Sequence, residues 1–262
     1  MAVPPGQQSA LDVYRAAPDP DDHHLAHELA AAAGELLVSM RGELSGASLR
    51  AAGDRRSNRF LLDRLASERP ADAVLSEESA DDGRRVEADR VWIVDPLDGT
   101  REYAEPGRDD WAVHVALWQG GALAAGAVAL PAADVVHSTW RPPVPGEPLD
   151  PPVVVVSRSR PPAVLDAVLS RWPATLTPMG SAGAKTAAVL DGRATAYVHG
   201  GGQYEWDSAA PVAVAVAAGF RVRRLDGSAP RYNRPNPWLP DIVVCHPSAA
   251  DDLWAALDMT SS

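Results

Sequence analysis

The chain has 262 residues, 46% of them apolar, and a net charge of −11. That apolar share excludes wholesale disorder and supports one large domain or two ordinary ones, while the acidity argues against a nucleic-acid backbone or an anionic membrane surface as partner. One cysteine, Cys245, excludes an internal disulfide and a cysteine-rich metal site, and no apolar run reaches the roughly 18 residues needed to span a bilayer.

Residues 1–20 are rich in Pro, Gln and Ala without a period and lack the marks of a signal peptide, which predicts a mobile tail on a soluble cytoplasmic protein. From Asp22, "HHLAHELAAAAGELLVSMRGEL" has helical spacing, and "SNRFLLDRLASERP" predicts a second helix with Asp54 just before its start. "AVLSEES" and "VWIVD" are short strands, the second halted by Pro96. "WAVHVALWQGGALAAGAVALP" predicts a hairpin turning at Gly120–Gly121. "RPPVPGEPLDPP" is a linker composition. It divides an N-terminal half, 21–140, from a C-terminal half, 141–262. The second half gives strand "VVVVS", helices "PPAVLDAVLSRW" and "SAGAKTAAVLDG", and strand "ATAYVHGG". It continues with helix "WDSAAPVAVAVAAG", with Pro in its first turn, then strand "DIVVCHP" and a closing helix "AADDLWAALDM". Alternating strands and helices predict layered sheets and helices.

Acids gather where these strands end. Asp95 and Asp98 flank a proline-fixed turn, Glu77 and Glu78 close another strand, and Asp207 begins a helix. Hard divalent cations take oxygen ligands, and paired metals stabilise the attacking and leaving oxygens of displacement at phosphorus. Thr100, after Gly99 at a helix start, suits an anion or a positioned water. Each residue has a plainer reading: Asp207 and Asp54 as helix caps, Glu77 and Glu78 as solvated acids, "DPLDG" as a turn. His23, His24 and His27 read as a solvated helix start, and His114 as a satisfied sheet residue. The haloacid-dehalogenase pattern fails because two residues separate the acids of "DPLD". The P-loop pattern fails because Ala184 stands where glycine precedes Lys-Thr.

Taken together, "SEES", "WIVDPLDGTREY", "GSAGAK" and "WDSAAPVAVAVAAG" resemble the lithium-sensitive, magnesium-dependent inositol monophosphatase superfamily over about residues 25–255. The resemblance implies an α+β fold, a layered α-β-α-β-α sandwich with the active site between its halves. It implies metal ligands at Glu77, Asp95, Asp98 and Asp207 and at the Leu97 carbonyl, with two or three Mg²⁺ ions and Li⁺ as inhibitor. Thr100 with Glu77 then orients the attacking water, and Asp54 matches an upstream catalytic acid of the family pattern, with no covalent phosphoenzyme. Asp98, Gly99, Thr100 and Asp207 also face the substrate. "DGTREY", "VVSRSR" and "LDGSAPRYN" are similar to the 3'(2'),5'-bisphosphate nucleotidases of the CysQ type. This implies removal of the 3'-phosphate of 3'-phosphoadenosine 5'-phosphate, with inositol monophosphate or fructose 1,6-bisphosphate as alternative substrates. Ser157, Arg158, Ser181 and Lys185, the chain's one lysine, suit the second phosphate by charge-assisted hydrogen bonds; the plainer reading of Arg158 and Lys185 is solvated surface charge. The expected partner is a small phosphorylated molecule, with no nucleic acid or membrane and a homodimer left open. From another class, a non-catalytic cation- or nucleotide-binding regulator should have lost a ligand or the threonine, and all are present.

Overall fold

Apolar residues that alternate along a strand serve two faces of a sheet, and β2 (Arg90–Asp98) shows the consequence: Trp92 and Val94 enter one apolar core, Val91 and Ile93 another. The computed structural model describes residues 13–15 and 19–259. Helices α1 (Pro20–Arg41) and α2 (Gly46–Glu68) cover the outer face of a sheet formed by β1 (Ala73–Ser76), β2, β3 (Ala112–Gln119), β4 (Ala122–Leu130) and β5 (Val135–Ser138), in that order. After β2 comes the single turn and a half of α3 (Thr100–Ala104). A second sheet has the order β7 (Thr175–Met179), β6 (Val153–Ser157), β8 (Ala196–Tyr204), β10 (Trp238–Cys245), β9 (Arg221–Arg223). Helices α5 (Ala182–Leu190) and α6 (Glu205–Ala217) lie between the sheets, and α4 (Leu165–Leu169) and α7 (Ala250–Asp258) cover the far side.

Three apolar clusters fill the three kinds of interface. Leu29, Leu61 and Trp92 mark the outer one, Ile93, Val189 and Ala213 the middle one, Val154, Val243 and Leu253 the far one. A helix packed by a sheet on each side must be apolar around most of its girth and thin. The Ala- and Val-rich sequences of α5 and α6 meet both demands, and the layered α-β-α-β-α order expected from the sequence is present. No described helix is long and apolar enough to cross a membrane.

Several sequence expectations are corrected. Asp54 does not precede α2 but sits within it, because the Ala- and Arg-containing segment from Gly46 is itself helical. β2 does not stop at Pro96; it runs to Asp98 through a bulge between Asp95 and Asp98 in its pairing with β3. Pro211 lies in the second turn of α6, and its missing N–H releases the carbonyl four residues back, that of Asp207. The helix expected over 161–172 shrinks to α4. Of the expected mobile tail, residues 1–12 and 16–18 lie outside the described residues, but Val13 is buried and Tyr14 bridges Leu123 in parallel. The histidines at the start of α1 are docked rather than solvated: His23 Nδ1 is 2.8 Å from Thr139 Oγ1, His27 Nδ1 is 3.2 Å from Ser138 Oγ, and the His24 and His27 rings pack edge-on to Trp140.

Candidate active site

The bulge at Pro96–Leu97 brings two acids to one spot. In regular pairing Asp95 and Asp98 would point to opposite faces; the extra residue turns both toward the gap between the sheets, and Ser57 Oγ of α2 fixes the bulge by donating to Pro96 O at 2.7 Å. Asp207, in the first turn of α6, completes the group: one oxygen from each of Asp95, Asp98 and Asp207 lies within 4.8 Å of the others. Glu77, at the end of β1, is exposed as a residue, yet its carboxyl faces these acids at the edge of a cavity of about 690 Å³.

Four carboxyls this close cannot all ionise at ordinary cost. Burial, and then the Glu77, Asp98 and Asp207 charges, push Asp95 well above the carboxylate range. Burial and the Asp98 charge raise Asp207 to about 6. Withdrawal of the Glu77 carboxyl from bulk water, then the Asp207 charge, raise it to about 7. Asp98 goes the other way. Burial alone would raise it, but the bond and charge of His114, with Lys185 and Ser181, outweigh that and hold it at about 2.

The groups around Asp98 explain that difference. Its Oδ2 accepts from Ser181 Oγ at 2.6 Å and Gly183 N at 2.8 Å, and His114 Nε2 lies 3.2 Å away. His114 is buried, with Nδ1 3.0 Å from Trp206 O, and the Asp98 contact raises its pKa against the lowering by burial. Asp98 is thus the anion at the N-terminus of α5. The helix start can approach this closely only because residue 183 is glycine: a Cβ there would lie 2.2 Å from His114 Nε2. Gly99 is required for both reasons, a φ of 85° and a Cβ position 3.2 Å from the Ser181 Cβ.

Asp95 Oδ1 accepts from Leu97 N at 3.0 Å, whereas its buried Oδ2 has no donor. The neighbouring Glu77 carboxyl can satisfy that oxygen only by carrying a proton. A donorless buried carboxylate oxygen among three further acids fits a hard divalent cation, which needs oxygen ligands and cancels their repulsion.

Thr100 Oγ1, at the start of α3, lies 3.2 Å from Leu97 O and 3.3 Å from Asp54 Oδ1. Asp54 reaches it from the middle of α2, raised to about 6 by burial and the Glu78 charge.

On the far side of the cavity mouth the cations differ in what they are already doing. Lys185 is buried, not a solvated surface charge; its Nζ donates to Ser181 O at 2.6 Å and to Gly180 O, and it lies 5.2 Å from the Tyr197 ring centroid. Arg158 pairs with Glu102 and Glu105. Ser157 Oγ accepts from Arg160 N at 3.2 Å. The cavity is lined by Glu77, Asp98, Thr100, Ser157, Arg158, Ser181, Lys185 and Asp207 among the residues expected from sequence, while Asp95 lies beneath it. Sequence reasoning missed His114, Arg160 and Gly183. The register that sets His114 opposite Asp95, and the bulge that then brings Asp98 to it, are tertiary facts; only the conspicuous histidine in an apolar strand hinted at them.

Comparison with known proteins identifies the family and the fold. The model of the inositol monophosphatase family matches residues 23–143 and 152–258. Over 237 residues, 86% of this chain and 89% of the relative, the sequence is 49% identical to a 3'-phosphoadenosine 5'-phosphate phosphatase of Mycobacterium bovis. It is 32% identical over 193 residues to the 3'(2'),5'-bisphosphate nucleotidase CysQ of Escherichia coli, covering 69% of this chain and 78% of that one. Among solved structures, CysQ from Bacteroides thetaiotaomicron superposes with a TM-score of 0.75 at 25% identity, covering 87% of this chain and 97% of that one.

Proposed function

The chain belongs to the inositol monophosphatase family of metal-dependent phosphatases, and from that premise we propose that it hydrolyses the 3'-phosphate of 3'-phosphoadenosine 5'-phosphate to give AMP and phosphate. The observation that carries this is one cavity with two opposed characters: mutually close carboxyls, and a lining that also includes Arg158, Arg160 and the buried Lys185. The acids alone suit any metal-dependent phosphatase; cations lining the same cavity suit a substrate with a second anionic group. The relative of 49% identity bears the name of that activity.

Glu77, Asp95, Asp98, Asp207 and the Leu97 carbonyl would hold two or three Mg²⁺ ions, with Li⁺ as inhibitor. Bound Mg²⁺ would neutralise phosphate charge and make water a better nucleophile. Thr100 orients the attacking water with Glu77, and Asp54, whose carboxyl stands beside the Thr100 hydroxyl, takes up proton density from that hydroxyl. Water oxygen bonds to phosphorus as the bond from phosphorus to the ribose 3'-oxygen breaks, with no aspartyl-phosphate between. One water proton stays with the phosphate, the other leaves toward the Thr100–Asp54 pair, and the departing 3'-oxygen takes a proton from solvent. Asp98 and Asp207, with the Gly99–Thr100 backbone at the start of α3, border the transferred phosphate. Ser157, Arg158, Ser181 and Lys185 border the second one. Lys185 acts chiefly through the loop it ties, since two carbonyls already occupy its ammonium. The cytoplasmic setting, the two halves 21–140 and 141–262 meeting at the site, and a monomer or homodimer belong to the same proposal.

Phosphate release from the adenosine bisphosphate, inositol 1-phosphate and fructose 1,6-bisphosphate, with and without Mg²⁺ and with added Li⁺, tests it. Mg²⁺-dependent, Li⁺-inhibited preference for the adenosine compound is expected. Preference for inositol phosphate would contradict the substrate, and activity surviving full chelation would contradict the chemistry.

A further inference from the structure

One wall of the cavity runs from His199 in β8 to Trp206 in α6, with Trp238 of β10 against it. Trp238 pairs in register with Tyr204, and its indole covers Gly202, where a Cβ would meet Nε1 at 2.7 Å. The Tyr204 and Trp206 rings stack at 4.8 Å and 10°, and Tyr204 and Trp238 are exposed, at 45% and 49%. A broad aromatic surface therefore faces water beside the acid cluster.

Set into this wall are polar groups without a partner. Gln203 is 7% exposed, and both its amide oxygen and its amide nitrogen are buried with no hydrogen bond. His199 is 6% exposed, and its Nε2 lies 3.0 Å from Gly202 O. A carbonyl only accepts, so Nε2 carries the ring proton and Nδ1 is a bare acceptor, itself buried and unpartnered. Burial lowers the pKa of His199, which keeps the ring neutral. Buried groups of this kind are costly to leave unmade, and a native wall that concentrates three of them calls for a cause.

We propose that this wall is the nucleobase site, that Gln203 reads the base through its amide, and that His199 Nδ1 accepts a further donor from the nucleoside. A glutamine amide offers one donor and one acceptor side by side, the complement of the N6–H and N7 edge of adenine. Aromatic faces stack on any base and do not discriminate; the wall thus combines sequence-tolerant holding with one discriminating side chain. The amide is covered as it stands, so meeting a base takes a turn about its side-chain torsions. That turn breaks no hydrogen bond, because none is made. Along that edge hypoxanthine presents two acceptors, O6 and N7, so in either orientation the amide oxygen faces an acceptor, and this base is disfavoured. This proposal rests on the adenosine bisphosphate as substrate and names the residue that selects its base.

The test is kcat/KM in Mg²⁺ for 3'-phosphoadenosine 5'-phosphate, its inosine counterpart and base-free ribose 3,5-bisphosphate, with wild-type protein and with Gln203→Leu. Wild type should prefer adenine over hypoxanthine by about ten- to hundredfold. In Gln203→Leu that ratio should fall to about one, and the loss on the adenosine compound should exceed the loss on the base-free one by a similar factor. Since leucine replaces an unpaired buried amide, the variant should melt no lower than wild type. A wild-type ratio near one overturns the proposal without any variant, and so does a preference that survives Gln203→Leu. Failure of wild type to hydrolyse any nucleoside bisphosphate would overturn the substrate itself, and the base site with it.

Discussion

Replacing Asp207 by asparagine separates a metal ligand from an ordinary helix cap by the sign of its effect. Asp207 is the N3 residue of α6, its carboxylate accepting from the N-cap Tyr204 N at 2.6 Å, and asparagine keeps an oxygen that can accept there. The charge is what changes. In the fold, burial and then the Asp98 charge raise Asp207 from 3.8 to about 6. An acid whose folded pKa is raised contributes nothing to the pH dependence below its unfolded value. It destabilises progressively between the two values and exerts the full penalty above the folded one. Roughly two units at about 1.4 kcal/mol each make that penalty about 3 kcal/mol at pH 7.5. Losing a favourable charge at the α6 N-terminus returns about 0.3–1 kcal/mol. In chelator, Asp207→Asn should therefore gain about 2 kcal/mol over chelated wild type, a rise in Tm of roughly 4–8 °C at about 2–4 °C per kcal/mol. Saturating Mg²⁺ reverses the order. At a hundredfold excess over Kd a bound ion stabilises wild type by about 2.7 kcal/mol, and a protein short of one ligand forfeits most of it. Thermal melts of both proteins in chelator and in Mg²⁺ decide the matter. A chelated variant that melts at or below chelated wild type, with an undiminished Mg²⁺ shift, would refute the reasoning.

Thr100→Val removes the hydroxyl that stands between Leu97 O and Asp54, so kcat should fall by about a hundredfold with KM little changed; steady-state kinetics with wild-type-like kcat would remove Thr100 from the water's path. Gly183→Ala would put a methyl 2.2 Å from His114 Nε2 and 2.8 Å from the Ala112 Cβ, costing about 1–3 kcal/mol and weakening divalent-cation affinity, as melts and calorimetric titration would register. Asp110 is held low because Arg108 and the Gly180 N–H outweigh its burial. Its contribution to stability is therefore present above the ordinary aspartate range and is lost as pH falls through its lower folded value. Asp110→Asn should flatten that acid-side loss in denaturant titrations, and an unchanged pH profile would contradict the assignment.

The layer order could be read from the sequence because buried strands and small-residue helices carry their burial in their composition. "VWIVD" and "VAVAVAAG" can be buried on both sides, and residues 91–95 and 212–215 are. The acids were legible for a related reason: charges at the ends of apolar runs stand out against what surrounds them. What stayed hidden depends on pairing. Nothing in the local sequence indicates that β2 bulges at Pro96, so the same motif reads as a stop when it is a turn of two carboxyls onto one side. His114 could not be assigned without register. Asp54 looked like a cap because an acid before an apolar run usually is one; the helix had begun eight residues earlier. The role of Lys185 was half legible, its charge but not the carbonyls that occupy it.

The most direct test is a crystal grown with Mn²⁺ and measured for anomalous scattering. Paired peaks within coordination distance of Asp95, with Glu77, Asp98 and Asp207 around them, are predicted. Peaks elsewhere, or none at full occupancy of the protein in solution, would contradict a site built to hold divalent metal.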